Sequence, residues 1–242
     1  MIMKTLKEKT VGQIVAEDYR TAQVFRSFGL DFCCGGNKTV EEACEPKGVN
    51  AQDVHTALAG LGNEGSEQHN YNEWSLDFLT DYIVNNHHQF VRSKIPEIEF
   101  YADKVARVHG ERHPELLEIR EIFMKLKEEL LEHQDKEEEI LFPYVKKLVR
   151  AEQEEKSIKN DPDFGSAADP VAMMEAEHEE AGEMMEAIQN LSDDFTPPED
   201  ACASYRVLFQ SLEGFQIDLH KHVHLENNIL FPKALEMEKS IN

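Results

Sequence analysis

Two stretches of the chain carry the same pair of metal-binding side chains in the same local sequence. His133 and Glu137 stand four residues apart and are followed by Ile-Leu-Phe-Pro, and His222 and Glu226 repeat this arrangement 89 residues further along. Four residues of α-helix make about one turn, with a rise of about 6 Å, so both groups of a pair lie on one face. Each pair therefore predicts a bidentate metal clamp.

Two further histidines follow nearly the same offset, since His88 and His178 are 90 residues apart. The chain thus carries a duplicated unit, in which a helix with a lone histidine precedes a helix with a His/Glu clamp. A single His/Glu pair is usually only a helical hydrogen bond. Two copies on apolar stripes, however, would bury four imidazoles and two carboxylates, and unpaired buried charge costs several kcal/mol per group. Metal ions satisfy all six groups, so we predict a binuclear site.

Nitrogen and oxygen ligands without thiolate predict iron, manganese or zinc in this site. Two shared carboxylates would hold two ions about 3.5–4 Å apart, with room for a bridging oxo or hydroxo group. Iron is favoured over zinc because a histidine-rich bundle has little structural need for two zinc ions. Six protein ligands leave open positions on two ions, and Gly182 leaves space four residues after His178. Small diatomic molecules are therefore candidate ligands.

Four long apolar-periodic patterns place these residues on helices. They run from about Trp74 to Val108, from after Pro114 to about Arg150, from near Pro170, and from after Thr196-Pro-Pro-Glu199. Every predicted ligand lies on an apolar stripe, as in an antiparallel four-helix bundle whose sites are built from facing side chains. We expect Pro143 and Pro232 to kink or end their helices, and a polar loop at 152–169.

The first 62 residues predict a small helical domain. Thr39 with Glu42 resembles a capping box, and Asn50 leads into another short helix. Residues 63–73 are nearly devoid of apolar side chains and are interpreted as a linker to the bundle at 74–242. The predicted fold class is therefore all-α, with a small N-terminal helical domain followed by a four-helix bundle.

Composition excludes several classes of partner. The 242 residues include 48 Asp and Glu against 25 Lys and Arg, a formal net charge of −23. Phosphate backbones and anionic membrane surfaces repel such a protein, so we expect neither nucleic acid nor membrane as a partner. The N-terminus lacks the apolar stretch of a signal peptide, and four cysteines are too few for a disulfide scaffold. A cytoplasmic location follows as an expectation.

Histidines and carboxylates near the predicted ligands receive a secondary interpretation. We expect His87, His220 and His224 to lie at the surface or just outside the ligand shell. Asp81 and Glu175 stand one or two turns from ligands on their helices, so they are candidates for supporting them.

A second unusual feature is the stretch Asp31-Phe-Cys33-Cys34-Gly-Gly36. The two cysteines could simply be small buried hydrophobic residues beside a glycine turn. Alternatively, a helix N-terminus just after them would lower the thiol pKa and favour thiolate. Such thiols can take up iron, exchange disulfides or sense oxidants, so Cys33 and Cys34 are candidates for redox chemistry or iron transfer. No catalytic residue is assigned.

Taken together, the two features resemble the di-iron proteins of iron–sulfur cluster repair, the repair-of-iron-centres family of the YtfE and ScdA type. The similarity covers nearly the whole chain, and the cysteine stretch, both His/Glu clamps and the segment from Met174 to Gly182 carry it. It implies a hemerythrin-like bundle with two iron ions. The implied ligands, the same six residues found from spacing, are His88, His133, Glu137, His178, His222 and Glu226, with Glu137 and Glu226 as bridging carboxylates.

The resemblance also implies cytoplasmic bacterial proteins that restore iron–sulfur enzymes damaged by nitric oxide or peroxide, with homodimers in some members. Repair by iron delivery is the favoured function. The first alternative is a di-iron nitric-oxide or peroxide reductase, although the sequence has no flavin or nicotinamide motif to supply electrons. The second is an O2- or NO-sensing protein without turnover. The sequence leaves open whether the protein is an enzyme.

Overall fold

The structure is a computed structural model that describes residues 8–61, 70–158 and 166–241. Across those ranges the regular structure is helical, apart from one isolated antiparallel bridge between Thr10 and Thr39. The all-α prediction is therefore confirmed. No helix within the same ranges combines the length and the apolar character that crossing a membrane requires. Most of the predicted linker at 63–73 and the middle of the predicted loop at 152–169 lie outside the described residues, so both stay predictions, as do the domain boundaries.

The chain divides into two compact units. The first comprises residues 1–80, 145–160 and 220–242, and the second comprises residues 81–144 and 161–219. Four short helices begin the first unit: α1 (Val11–Glu17), α2 (Thr21–Ser27), α3 (Val40–Cys44) and α4 (Ala51–Ala59). Further helices follow: α5 (Leu76–Tyr82), α6 (Gln89–His109), α7 (Glu115–Lys136), α8 (Phe142–Gln153), α9 (Ala168–Leu191), α10 (Ala203–Leu225) and α11 (Phe231–Ile241).

Side-chain caps explain where α3 and α4 begin. The Thr39 hydroxyl accepts a hydrogen bond from the Glu42 amide, and the Glu42 carboxylate accepts one from the Thr39 amide, so the predicted capping box is confirmed. Asn50 caps α4 through the amide of Gln52. These bonds satisfy backbone donors that a helix start would otherwise leave without partners.

The long helices of the second unit pack side by side. Helix α7 lies between α6 and α9 and contacts both. The interface is apolar, with Ile98, Phe123 and Leu126 fully buried. Because apolar residues recur every three to four positions, each helix turns one continuous stripe to its neighbours. The four long helical patterns of the sequence are confirmed.

Three π-helical segments interrupt the long helices, at Ile83–His88, Glu137–Leu141 and Glu226–Leu230. Each one contains a predicted metal ligand, and short π segments are frequent at functional sites. The last two directly precede the residues Phe142-Pro143 and Phe231-Pro232, and the chain continues as α8 and α11. Neither helix therefore ends at its proline. A proline ring clashes with the carbonyl four residues earlier in a regular α-helix, and the wider π turn changes that alignment.

Within the first unit, residues 31–36, called the cysteine loop from here on, closely contact the π-helical segment Glu226–Leu230. The Asn228 side-chain amide donates hydrogen bonds to the carbonyls of Phe32 and Cys33, at 3.2 and 3.1 Å. The Gly12 amide donates to the Gly36 carbonyl at 2.8 Å. A Cβ atom on Gly12 would lie 2.1 Å from Asn228 Oδ1, and one on Gly36 would lie 2.4 Å from the same atom. Glycine is therefore required at both positions to let the backbone approach this closely.

This packing predicts opposite effects for two glycine-to-alanine substitutions within helices. Gly12→Ala should destabilise the protein by about 1–3 kcal/mol, because the new methyl group overlaps Asn228. Gly214→Ala should stabilise it by about 0.5–1 kcal/mol, because a Cβ there meets no atom within 4 Å and alanine has the lower entropic cost in a helix. Thermal and urea unfolding of the metal-loaded proteins measures both changes. Equal stability of Gly12→Ala and the parent protein would contradict the close contact between Gly12 and Asn228.

Candidate metal centre

Four of the predicted ligands lie in the second unit, on four helical segments. His88 ends the first π segment, His133 lies in α7, Glu137 begins the second π segment and His178 lies in α9. All four residues are buried, with at most 2% of the surface of each exposed. The periodicity that placed them on apolar stripes therefore placed them correctly in the core.

Their ligand atoms are close together. His88 Nε2 lies 3.3 Å and His133 Nε2 lies 3.4 Å from Glu137 Oε2. His178 Nε2 lies 2.9 Å from His133 Nε2. His133, Glu137 and His178 each offer one ligand atom, and these atoms lie within 4.8 Å of one another.

Hydrogen bonds at the opposite ring nitrogens assign the tautomers of two imidazoles. His88 Nδ1 lies 2.8 Å from a Glu138 carboxylate oxygen, and His133 Nδ1 lies 2.8 Å from a Glu177 oxygen. A carboxylate accepts, so each Nδ1 carries a proton, and in the neutral imidazole that binds metal each Nε2 then presents a lone pair. Metal-binding histidines are typically held in this way, since the carboxylate fixes the ring and raises its basicity.

Basic side chains hold these two supporting carboxylates in turn. Arg92 donates to Glu138 at 2.8 Å, and Lys136 donates to Glu177 at 2.7 Å. The hydrogen bond from His133, with further help from Lys136, lowers the pKa of Glu177 to about 2. Glu177 is therefore ionised at neutral pH and remains an acceptor for the His133 proton.

The remaining two predicted ligands lie in the first unit, at the junction of α10 and the third π segment. His222 Nε2 lies 2.9 Å from Glu226 Oε1, and both side chains are buried, at 1% and 0% exposure. The four-residue spacing thus places an imidazole nitrogen beside a carboxylate, as the sequence indicated. A role for any of the six as a ligand stays a prediction.

The donor chemistry of these buried groups suits a cation. In the second unit Nε2 of His88 and Nε2 of His133 face Glu137 Oε2, and with both imidazoles neutral, as metal binding requires, electron-rich atoms face each other. Such an arrangement is unfavourable in a low-dielectric core unless a positive ion lies among the atoms. Imidazole and carboxylate donors without thiolate match iron, and the buried His/Glu groups are compatible with a di-iron centre.

His87 and His224 are both buried, which excludes the surface alternative and leaves a position just outside the ligand shell as the prediction for them. His87 Nδ1 lies 3.0 Å from an Asp218 oxygen. Burial lowers the pKa of His224 to about 3 and that of His220 to about 4. Both imidazoles are therefore neutral near pH 7 and add no positive charge beside His222.

The structure also assigns the supporting role to carboxylates that sequence reasoning missed. A supporting role for Asp81 and Glu175 stays a prediction, whereas hydrogen bonds to ligand imidazoles are formed by Glu138 and Glu177. Each is next in sequence to a predicted ligand but projects about 100° away from it around its own helix. It therefore reaches a histidine on a different helix. The position of each glutamate next to a predicted ligand was the only sequence signal for this role. It does not identify the helix that packs against the glutamate.

The expected low thiol pKa is wrong for Cys33. Its hydrogen bond with Cys34, its burial and the neighbouring Asp31 charge all raise the pKa of the Cys33 thiol well above its usual range. The next helix along the chain, α3, begins only at Val40, so its N-terminus does not directly follow the two cysteines. Cys33 is therefore protonated at neutral pH when it binds no metal.

Each of the two parts of the chain matches a known domain family. Residues 7–61 match a domain of unknown function (DUF542), and residues 80–234 match the hemerythrin HHE cation binding domain. The expected fold class, a small N-terminal helical domain followed by a hemerythrin-like helical bundle, is thereby confirmed.

Three proteins that resemble this chain along nearly their whole length are all named iron-sulfur cluster repair proteins. The chain is 34% identical to the iron-sulfur cluster repair protein YtfE of Musicola paradisiaca, over 96% of this chain and 98% of that protein. It is 32% identical to YtfE of an Enterobacter species, over 96% of this chain and 99% of that protein. It is 33% identical to the iron-sulfur cluster repair protein ScdA of Staphylococcus haemolyticus, over 93% and 97%.

The geometry around His133 predicts an effect of a residue that is not itself a predicted ligand. Glu177→Ala should weaken iron retention about 10–100-fold, because the His133 ring loses the acceptor that fixes its tautomer and orientation. Glu177→Gln keeps an acceptor without the charge and should fall between this variant and the parent. Iron remaining after a timed chelator challenge measures the effect. Glu183→Ala, an exposed glutamate on the same helix, is the matched control, and equal retention in Glu177→Ala and this control would refute the role.

Proposed function

Since this chain belongs to the iron–sulfur cluster repair proteins of the YtfE and ScdA type, we propose that it repairs clusters damaged by oxidative or nitrosative stress by supplying iron. The observation that carries the proposal is the buried His/Glu donor set of a hemerythrin-like bundle, with imidazole lone pairs turned toward a carboxylate. Damaged iron–sulfur proteins are the proposed partners, and nitric oxide or peroxide is the proposed source of damage.

The proposed iron site uses the six residues His88, His133, Glu137, His178, His222 and Glu226. All six are buried, and the sequence duplication relates them pairwise. Glu137 and Glu226 are proposed to bridge the two ions. An oxo or hydroxo group is proposed as a further bridge, and small diatomic molecules are proposed as additional ligands. When bound, an iron pair supplies redox-active metal with exchangeable coordination positions.

Iron donation requires a site that releases its metal, and the residues are compatible with this. Six protein ligands do not fill the coordination of two octahedral-leaning ions, so an incoming ligand can begin the exchange. Imidazole binds metal only in its neutral form, so protonation of the ligand histidines competes with metal binding. Glu138 and Glu177 work against release by keeping the Nδ1 proton in place and the Nε2 lone pair available.

We propose a location in the bacterial cytoplasm, where reduced thiols such as Cys33 and Cys34 persist. The family resemblance extends to homodimers in some members, and light scattering on the metal-loaded protein determines the oligomeric state of this chain.

Removal of the proposed bridging carboxylates should empty the site in two steps. Glu137→Ala or Glu226→Ala alone should lose part of the bound iron, and the double variant should bind almost none, because each carboxylate is proposed to serve both ions. Metal analysis together with the optical spectrum, on protein purified anaerobically and in air, measures this. Glu139→Ala is the control, since Glu139 is exposed in the same π segment as Glu137. Full iron content in the double variant would contradict the assignment of Glu137 and Glu226 as ligands.

The decisive functional assay follows iron and cluster recovery together. Iron-loaded protein is mixed with an aconitase-type enzyme whose cluster nitric oxide has damaged, and iron loss and enzyme reactivation are recorded on one time course. We expect iron loss to match reactivation. The Cys33→Ser/Cys34→Ser double variant should retain the bundle iron but reactivate more slowly, whereas Cys202→Ser, which changes an exposed cysteine, should behave as the parent protein.

Other outcomes of this assay identify the alternatives. Rapid multiple turnover of nitric oxide or peroxide with an added reductant, without iron loss, would indicate a di-iron reductase. Tight reversible binding of O2 or NO with neither activity would indicate a sensor. Normal reactivation by the double cysteine variant would restrict Cys33 and Cys34 to a packing role in repair.

A further inference from the structure

The cysteine loop of the first unit gathers a second set of potential metal ligands. Asp31, Cys33 and Cys34 each offer one ligand atom, and these atoms lie within 4.8 Å of one another. The set differs in chemistry from the His/Glu groups, since it contains two thiols and one carboxylate. Thiolate donors select zinc, iron and other thiophilic ions.

The distances between these atoms are close to those of a tetrahedral site. Two thiolates bound at about 2.3 Å to one tetrahedral ion lie about 3.8 Å apart, and the Sγ atoms of Cys33 and Cys34 are 4.0 Å apart. A thiolate and a carboxylate oxygen on such an ion lie about 3.6 Å apart, whereas Cys33 Sγ and Asp31 Oδ1 are 3.1 Å apart. Movements of about half an ångström would therefore complete the site.

Backbone hydrogen bonds hold the loop in this shape without any ion. The Asp31 carboxylate accepts bonds from the amides of Cys33 at 2.8 Å, Cys34 at 3.1 Å and Gly35 at 2.7 Å. Asn228 donates to the carbonyls of Phe32 and Cys33 from the other side. The arrangement is thus preorganised, which lowers the entropic cost of binding an ion.

The ligands are open to solvent on one side and shielded on the other. Asp31 is exposed and Cys34 is half-buried, whereas Cys33 is buried. The Phe32 ring packs against the imidazoles of His220 and His224, with ring centroids 5.9 and 6.0 Å apart. A cation can therefore reach the thiols from water and leave again on the side of Asp31 and Cys34.

We propose that Asp31, Cys33 and Cys34 form a mononuclear site that binds one thiophilic divalent cation, Fe²⁺ or Zn²⁺, in addition to the bundle metals. On binding, both thiols lose their protons to water, two metal–sulfur bonds and one metal–oxygen bond form, and no electron is transferred. Three protein ligands leave a fourth position open, which permits exchange with another ligand. The idea that iron binds here transiently while it is transferred to a damaged cluster rests on the proposed function. The proposal that the site binds a cation does not rest on it.

Cobalt titration of the iron-loaded protein tests the site. Co²⁺ is added anaerobically, and we expect about one further equivalent to bind with a thiolate-to-cobalt charge-transfer band, because cobalt adopts the same tetrahedral sulfur coordination as zinc. Cys33→Ser and Cys34→Ser should each reduce the band and weaken binding at least about tenfold, as should Asp31→Asn. Cys202→Ser should leave band and affinity unchanged. Binding should release about two protons and strengthen as pH rises, since the raised pKa of Cys33 keeps its thiol protonated.

Two results would overturn the site: no charge-transfer band in the parent protein, or an undiminished band in the Cys33→Ser/Cys34→Ser variant. Bundle iron is measured in every sample, so loss of the cobalt band with unchanged iron assigns the effect to the loop. A functioning cobalt site in a protein that fails the reactivation assay would refute iron donation alone. Absent cobalt binding in a protein that repairs clusters would refute the loop site alone.

Discussion

The hydrogen bonds from buried imidazoles to carboxylates are the interactions on which the candidate centre depends. His88 and His133 each donate an Nδ1 proton, to Glu138 and Glu177 respectively, so each Nε2 lone pair points into the core. Without these acceptors either imidazole could take the other tautomer, and its ring nitrogen would no longer be a metal donor. The hydrogen bond from His133 and the neighbouring Lys136 lower the pKa of Glu177 to about 2, so this acceptor stays ionised beside the buried imidazole.

Helix geometry supplies the second constraint. Each π-helical segment carries a predicted ligand, and two of them precede a proline that an uninterrupted α-helix would accommodate poorly. The repeated Ile-Leu-Phe-Pro sequence after each clamp therefore has a structural meaning: it accompanies a widened turn at the carboxylate. A π turn costs backbone hydrogen-bond quality, and such segments persist where function offsets that cost. Their presence beside Glu137 and Glu226 agrees with the proposed role of these carboxylates.

The cysteine loop is tied to one of these segments. Asn228 lies two residues after Glu226 and binds the carbonyls of Phe32 and Cys33, and Gly12 and Gly36 leave room for its side chain. The loop that holds Cys33 and Cys34 is therefore joined by direct hydrogen bonds to the helical segment that carries Glu226.

The amino-acid sequence by itself determined the helices, the capping box at Thr39 and the six buried His and Glu side chains, because helical periodicity assigns each residue to a face from its neighbours in sequence alone. Only the tertiary structure decided which side chains meet between helices. Glu138 and Glu177 support histidines on other helices, His87 and His224 are buried rather than exposed, and the pKa of Cys33 is raised rather than lowered. Each of these properties depends on groups brought together by packing across long stretches of chain, or on the burial and loop geometry that packing creates, and local sequence patterns contain no record of that arrangement.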